Sequence, residues 1–441
     1  MNGSDRRTAA ACPCVAVRDS LYTPVRIVEL DLDEPSGLRS PGGLGTVDPA
    51  GRVLALVRLH GHPLGLVTST GTPGDPAGLR RALVDAARRE LPVPARSDRT
   101  PSSATPVARP GRVGRARVPA GRPTVSVIVC TRNREGMLRR CLDSLLRTGY
   151  PYVEVIVVDN APSSDAAEVL LRSRYPDQVR YLREPVAGLA RARNRGLAAA
   201  RGEICAFADD DLIVDIGWVS ALVDAFLADD RVGCVTGLVL PSELDTEAQA
   251  ALERYGGYSR GFTARSWSLR DNEDPLLRFS VGRFGSGANM AFRTDLLRRL
   301  GGFDPATGAG TPARGGEELL AFFRVLNGGH SVAYQPDAIV WHPHPRTVDA
   351  LTRQIFNFGV GFGAYLTAAV SHQPAVAAEL VRRLPRGVWA WNSARRNRAA
   401  CATRPADPVA GLGRLELRGL LYGPFSYLYS VWHQRGVRTG E

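Results

Sequence analysis

The chain predicts an α/β fold in which a mostly parallel sheet carries helices on both faces, with a small N-terminal α+β module before it and a helical region after it. Three features of the 441-residue sequence predict this. Between Thr124 and Ala208, β-branched apolar runs alternate with amphipathic stretches at the spacing of right-handed crossovers. Ahead of Pro92 the pattern is a strand, a hairpin and a single helix. Beyond Arg346, apolar residues recur at helical spacing almost to the end. The expected segments are a module at 1–91, a linker at 92–123, the sheet domain at 124–351 and the helical region at 352–441.

A hydrophobic share of 44% is enough to fill the cores of two or three domains. The formal charge of +12 would ordinarily suggest nucleic acid, but all 56 basic residues are arginine, which marks compositional bias. Nucleic acid is therefore not expected as a partner. Cys12, Cys14, Cys130, Cys141, Cys205, Cys234 and Cys401 are scattered and mostly lie in apolar contexts, where Cys acts as a small hydrophobe. They fit a reducing cytosol and offer no zinc spacing. With no signal-peptide pattern and no apolar run of about 18 residues, neither secretion nor a spanning helix is expected.

The elements follow in order. Residues 1–20 have no periodicity and read as a loose tail. Val25 to Leu32 mostly alternates apolar and charged residues, as a half-buried strand does. Val53–Leu59 and Leu64–Thr68 flank a turn at His60–Pro63, whose histidines read as turn residues without an acid partner nearby in sequence. Leu79, Leu83, Val84, Ala87 and Leu91 mark a helix. The linker holds seven arginines against one acid, Asp98, among Pro, Ser, Ala and Gly. Strands are then expected at Thr124–Cys130, Val153–Val158, Val179–Leu182 and Ile204–Ala208. Helices are expected around Met137–Leu146, starting at Pro162–Asp165, and at Leu189–Ala200. Asp215 to Phe226 reads as a core helix with Trp218 in packing. Glu243 to Ser280 shows no clear period.

The run Ile204 to Ala208 ends in Asp209, Asp210 and Asp211. Three adjacent like charges are costly to desolvate, so they imply either a bound hard cation or a solvated turn at the head of the next helix, where the dipole favours acids. Ligands of such sheets bind beyond the carboxyl ends of the strands, which lines up Thr131, Arg132, Asn133, Asp159 and the three aspartates on one rim. No Gly-rich phosphate loop follows the first strand, so neither a dinucleotide site nor a P-loop is expected.

Cys130-Thr131-Arg132-Asn133, Val157-Val158-Asp159-Asn160, Gly188 to Gly196, Ala199 to Glu203 and Phe207 to Asp211 stand in the order and spacing of a family 2 glycosyltransferase. The chain resembles that family over about half its length, to about Leu351. The resemblance implies a GT-A-type, Rossmann-like sheet and transfer from a nucleoside-diphosphate sugar, UDP-sugar foremost, to an acceptor hydroxyl with inversion. It implies a divalent metal, Mn2+ or Mg2+, at Asp211 and Asp209, with His342 completing the site as in some relatives. Donor contacts fall to Thr131, Arg132, Asn133, Asp159, Arg191, Asn194, Asp209 and Asp210. Gly285 to Phe292 resembles the acceptor-side strand, where glycine lets backbone approach a ligand.

Glu317 and Glu318 open a helix where the family has a Glu-Asp pair whose second member is the general base. Glu318 is the first choice, but its extra methylene departs from the pattern and leaves Glu317 open. A pair of acids in a first helical turn is also an ordinary dipole device. Gln354 to Phe358 does not supply the Gln-x-x-Arg-Trp of processive members, so single-sugar addition is expected. The acceptor class is open between a glycan, a lipid-linked sugar and a small molecule. The aromatic segment Leu412 to Trp432 is expected to pack on the catalytic domain, with peripheral contact at the inner face of a membrane as the alternative. Two rival readings of the whole chain stand: a non-catalytic carbohydrate- or membrane-surface-binding protein, and a nucleotidyltransferase.

Overall fold

The computed structural model describes residues 24–34, 37–43, 47, 50–92, 121–272, 274–399, 409 and 411–438. The expected tail at 1–20, nearly all of the linker, and Cys12, Cys14 and Cys401 lie outside the described residues.

The N-terminal module consists of β1 (Val25–Asp31), β2 (Gly51–Leu59), β3 (His62–Gly71) and α1 (Pro76–Glu90). β2 and β3 form the expected hairpin, its turn tightened to His60–Gly61, and β1 pairs β2 in parallel. Asp75 caps α1 by accepting from the Gly78 N–H at 2.8 Å. Leu79, Leu83, Ala86 and Ala87 then close the small core over Val28, Val53 and Val57. The two histidines do find acids far away in sequence, His60 pairing Asp33 and His62 Nδ1 lying 2.9 Å from Asp337.

The main sheet follows. Its elements are β4 (Val125–Thr131), α2 (Glu135–Leu145), β5 (Val153–Asn160), α3 (Ala166–Arg174), β6 (Val179–Glu184), α4 (Leu189–Ala199), β7 (Ile204–Asp209), β8 (Ile213–Val214), α5 (Trp218–Ala228), β9 (Val232–Pro241), α6 (Glu247–Tyr255), β10 (Arg265–Trp267), β11 (Asn289–Arg293), α7 (Thr294–Arg299), α8 (Glu317–Asn327) and β12 (Ser331–His342). The strand order is β10-β12-β9-β11-β7-β4-β5-β6, with β8 pairing β12 from the side. β4, β5, β6, β7, β9 and β12 run the same way, while β8, β10 and β11 oppose them. The sheet is thus mostly parallel, as the alternation of elements predicts.

Both faces are covered. Along β4, Val125, Val127 and Val129 face α2, α3 and α5, whereas Ile128 faces the opposite core with α4 and α8. Strand β9 is buried at every position, and the sequence reading passes over it. Helix α6, in the stretch without period, is also buried from Ala248 to Tyr255.

The C-terminal region packs α9 (Val348–His372) against α8, followed by α10 (Ala377–Ala399) and α11 (Leu412–Arg438). Among the described residues no helix is long and apolar enough to cross a membrane.

The N-terminal module docks on the sheet domain through a shared apolar core, to which Val25, Ile27, Leu54 and Leu56 contribute, and through ionic contacts. Arg58 of β2 lies 2.6 Å from Glu29 and 2.5 Å from Asp215, which follows β8. All three side chains are nearly buried. Val25 also pairs with Leu244 across the junction.

Candidate functional site

Parallel strands put their carboxyl ends on one rim, and the polar residues that terminate them collect there. In register, Thr131 pairs with Asp159 and Cys130 with Asp209. β12 is parallel to β9, which runs with β7, so its last residue, His342, reaches the same edge.

The three aspartates do not cap the next helix. α5 begins at Trp218 and has no acid in its first turn. Each carboxylate instead goes its own way. Asp209 lies 3.3 Å from the guanidinium of Arg193. Asp210 accepts from the Thr131 hydroxyl at 2.7 Å and from Arg134 at 3.3 Å. Asp211 meets Arg134 at 3.3 Å through Oδ2, while its Oδ1 is buried without a hydrogen-bond partner among the described residues. His342 Nε2 lies 3.9 Å from that oxygen. The Nδ1 of His342 is likewise buried without a hydrogen-bond partner among the described residues.

Burial governs the protonation of the group. It raises the Asp209 acid to about 7, with Arg193 opposing and the neighbouring aspartates adding to the rise. A third of this side chain still meets solvent, which screens part of the effect. Burial pushes His342 down to about 4 despite Asp211 beside it, leaving a neutral imidazole at pH 7. Among the described residues no group of three or more His, Cys, Asp or Glu side chains is arranged to hold a metal. The pair that remains, an orphaned carboxylate oxygen and a neutral imidazole nitrogen, suits an ion that takes its other ligands from a bound substrate and water.

Asp159, next to the end of β5, is fully buried; one oxygen accepts from the Tyr181 hydroxyl at 3.2 Å and the other has no partner among the described residues. Desolvation raises its acid above the ordinary value. Asn133 adopts a left-handed backbone at φ 54° and its side-chain oxygen accepts from the Ser163 N–H at 2.9 Å, which shapes the loop after β4. Arg132 is exposed beside it.

Two expected donor residues lie elsewhere. Arg191 reaches Gln434 of α11 at 3.2 Å, and Asn194 clasps the backbone N–H and C=O of Phe303 at 2.8 and 2.7 Å. Neither side chain joins the acid cluster. The α4 arginine that does is Arg193, which sequence reasoning passed over. It shares the buried face of α4 with Ala190 and Leu197 and is itself only 3% exposed. An arginine at an apolar-stripe position is the signal that would have found it.

Arg193 is the hub of the site. Beyond Asp209 it donates to Glu317 Oε1 at 3.0 Å and to the Gly287 carbonyl at 3.0 Å, and it lies over the Phe303 ring at 5.6 Å. Glu317 is buried, and its Oε2 has no hydrogen-bond partner among the described residues. Glu318 is half-buried against Gly287, where a β-carbon would come 3.3 Å from its own. Burial, then the charge of Glu317, raises the Glu318 acid to about 8. α8 can start here because Gly316 takes φ 92° and leaves room for the Gly361 carbonyl of α9, 2.4 Å from where a β-carbon would fall.

Two further side chains make internal contacts. Trp218 is buried and donates to Asn289 at 2.8 Å. His344 is buried with its Nε2 2.6 Å from Glu253.

Residues 126–301 match the profile of glycosyl transferase family 2. A pre-mycofactocin glycosyltransferase of Mycobacterium tuberculosis is 29% identical over 259 residues, 58% of this chain and 50% of that protein. A probable glycosyltransferase of Bacillus subtilis, YdaM, is 23% identical over 241 residues, 53% of each chain. The chain therefore spans about half the length of these curated relatives. Among solved structures, a mannosyltransferase from Pyrobaculum calidifontis in complex with GDP-Man and Mn2+ aligns with a TM-score of 0.47 at 21% identity, covering 71% of this chain and 88% of the other.

Proposed function

With residues 126–301 belonging to glycosyl transferase family 2, we propose that the chain transfers a single sugar from a nucleoside-diphosphate sugar, UDP-sugar foremost, to an acceptor hydroxyl with inversion. The observation that carries the metal-dependent form of this reading is the pairing at the tips of β7 and β12. There, an orphaned Asp211 oxygen lies 3.9 Å from a neutral imidazole nitrogen of His342. That separation is less than twice the ~2.1 Å ligand distance of Mg2+ or a similar ion, so both atoms can share one cation. Asp211 and His342 would hold Mn2+ or Mg2+, with Asp209 next to them. When bound, the ion would supply positive charge to the leaving diphosphate.

The chain's own groups do the rest. Asp159, with a free buried oxygen, accepts a base N–H, and Thr131 to Asn133 line the same edge for the nucleoside. Asp210 holds Thr131 in place and Arg134 offers a cation beside the diphosphate position. The acceptor hydroxyl gives its proton to Glu318 as its oxygen attacks the anomeric carbon opposite the leaving group. Glu318 is favoured over Glu317 on electrostatic grounds. One Glu317 oxygen is engaged by the buried Arg193 guanidinium, whereas the Glu318 acid, raised to about 8, is matched to the task near neutral pH. Glu317 then positions α8.

A panel of nucleotide sugars, each incubated with MnCl2 or MgCl2 and scored for released nucleoside diphosphate, tests the reading. Turnover of one donor supports it and identifies the sugar. Glycan binding without metal-dependent turnover of any donor would replace it with a non-catalytic carbohydrate-binding role.

A further inference from the structure

Helix α11 has a buried side rich in small residues and an exposed side that is apolar. Its inner side is fixed by glycine. A β-carbon at Gly419 would come 2.1 Å from the Phe356 carbonyl, and one at Gly423 would come 2.6 Å from the Gly363 α-carbon, so α9 and α11 touch backbone to backbone. That contact cannot rotate without separating the helices. The outer side, carrying Leu421, Tyr422, Phe425, Leu428, Tyr429 and Trp432, is therefore held away from the protein. These side chains recur at i, i+1, i+4, i+7, i+8 and i+11 and are 48–70% exposed. A contiguous apolar helix face left in solvent marks an interaction surface.

Charge identifies what covers it. Arg414 and Arg418, both exposed, continue the same face toward the N-terminal end of α11. From Ala377 to Glu441 the sequence holds 11 arginines against 4 acids, a net +7 out of +12 for the whole chain. Two copies of a face that carries Arg414 and Arg418 repel each other, which disfavours a second copy as the occupant. An anionic bilayer attracts both features at once: the arginines meet lipid headgroups while Tyr, Trp, Phe and Leu enter the interfacial zone. α10 repeats the pattern, with Val381, Leu384 and Val388 exposed at helical spacing and Arg386 among them.

We propose that the outer face of α11 is a docking surface for an anionic membrane, on which the protein lies peripherally. The proposal is independent of the transfer chemistry, because it is read by partition and not by turnover. The full chain is mixed with vesicles of equal parts phosphatidylglycerol and phosphatidylcholine, or of phosphatidylcholine alone, and bound protein is measured by flotation. Strong binding to the anionic vesicles, weakened by raising salt, is expected. The double variant Phe425→Ser/Trp432→Ser should lower the partition by about tenfold or more, with an unchanged circular dichroism spectrum and melting temperature. Arg414→Gln/Arg418→Gln should narrow the preference for anionic vesicles. Absence of vesicle binding at low salt, or equal binding by the serine variant, overturns the proposal. So does a wild-type dimer that the serine variant turns into monomer without any vesicle binding, which would make the face a protein interface.

Discussion

Replacing Glu318 tests the proposed chemistry most directly, because its protonation makes a quantitative demand on the pH profile. Burial and the neighbouring Glu317 carboxylate raise its acid from an ordinary 4.5 to about 8. A general base works only when ionised. With an acid at about 8, roughly 1% of molecules have the base at pH 6, about a tenth at pH 7 and about half at pH 8. Turnover per enzyme should therefore climb about fifty-fold between pH 6 and pH 8 and only about twofold from pH 8 to pH 9. An unperturbed carboxylate would give a flat profile across the same range. Glu318→Gln, nearly isosteric, should lower turnover by about a hundredfold to ten-thousandfold while leaving metal-dependent donor binding intact by calorimetry. Glu318→Asp should retain part of the activity with the pH dependence moved. The assay is release of nucleoside diphosphate from the accepted donor at saturating MnCl2. A flat profile from pH 6 to pH 9, or a Gln variant with wild-type turnover, would refute the assignment.

Other sites make further demands. Arg193→Met removes the only cation between Glu317 and Asp209 among the described residues, and stranding two carboxylates should cost about 3–5 kcal/mol in a denaturant titration. Arg58→Met should cost a similar ~3–5 kcal/mol by leaving Glu29 and Asp215 facing each other, and limited proteolysis should then cut the N-terminal module faster. Asp211→Asn should weaken Mn2+ activation by about tenfold or more, read from a metal titration of turnover, and chelation of the wild type should abolish activity reversibly. Gly359→Val would force a β-carbon to within 2.0 Å of the Glu416 carbonyl, and parting α9 from α11 should cost about 1–3 kcal/mol in thermal unfolding.

The sheet's strand tips were legible because a core strand is an apolar run, and the place where polarity resumes is where it leaves the core. Thr131, Asp159 and Asp209 all announce themselves that way. β9 did not, since a strand buried on both faces shows no alternation, and Gly233 and Gly237 dilute its β-branched character. α6 was hidden for a related reason. Gln249, Glu253 and Arg254 are buried with it, Gln249 completing the capping box with Thr246 and Glu253 meeting His344, so no apolar stripe could separate inside from outside. The donor-side helix shows a third kind of failure. Arg191, Arg193 and Arg195 look equivalent in sequence, but residues two apart on a helix point in nearly opposite directions, and only the packing decides which one faces inward. The parallel pairing of β1 with β2 depends on tertiary contacts that no local pattern encodes.

The choice of arginine at position 193 follows from what it joins. Its three contacts come from separate parts of the fold: Asp209 from the tip of β7, the Gly287 carbonyl from the loop before β11, and Glu317 from the first turn of α8. A lysine ammonium is a single point with three rotatable donors, whereas a planar guanidinium presents five in fixed directions and holds several partners at set angles. The strand tip proposed to face the donor is thereby tied to the helix that carries the proposed base, through one buried cation. A shift of α8 would strain the same hydrogen bonds that hold Asp209, so the spacing between the proposed base and the proposed metal site is set by Arg193 as much as by the sheet. Gly287 is part of this arrangement, because a side chain there would press on Glu318 and Arg193 together.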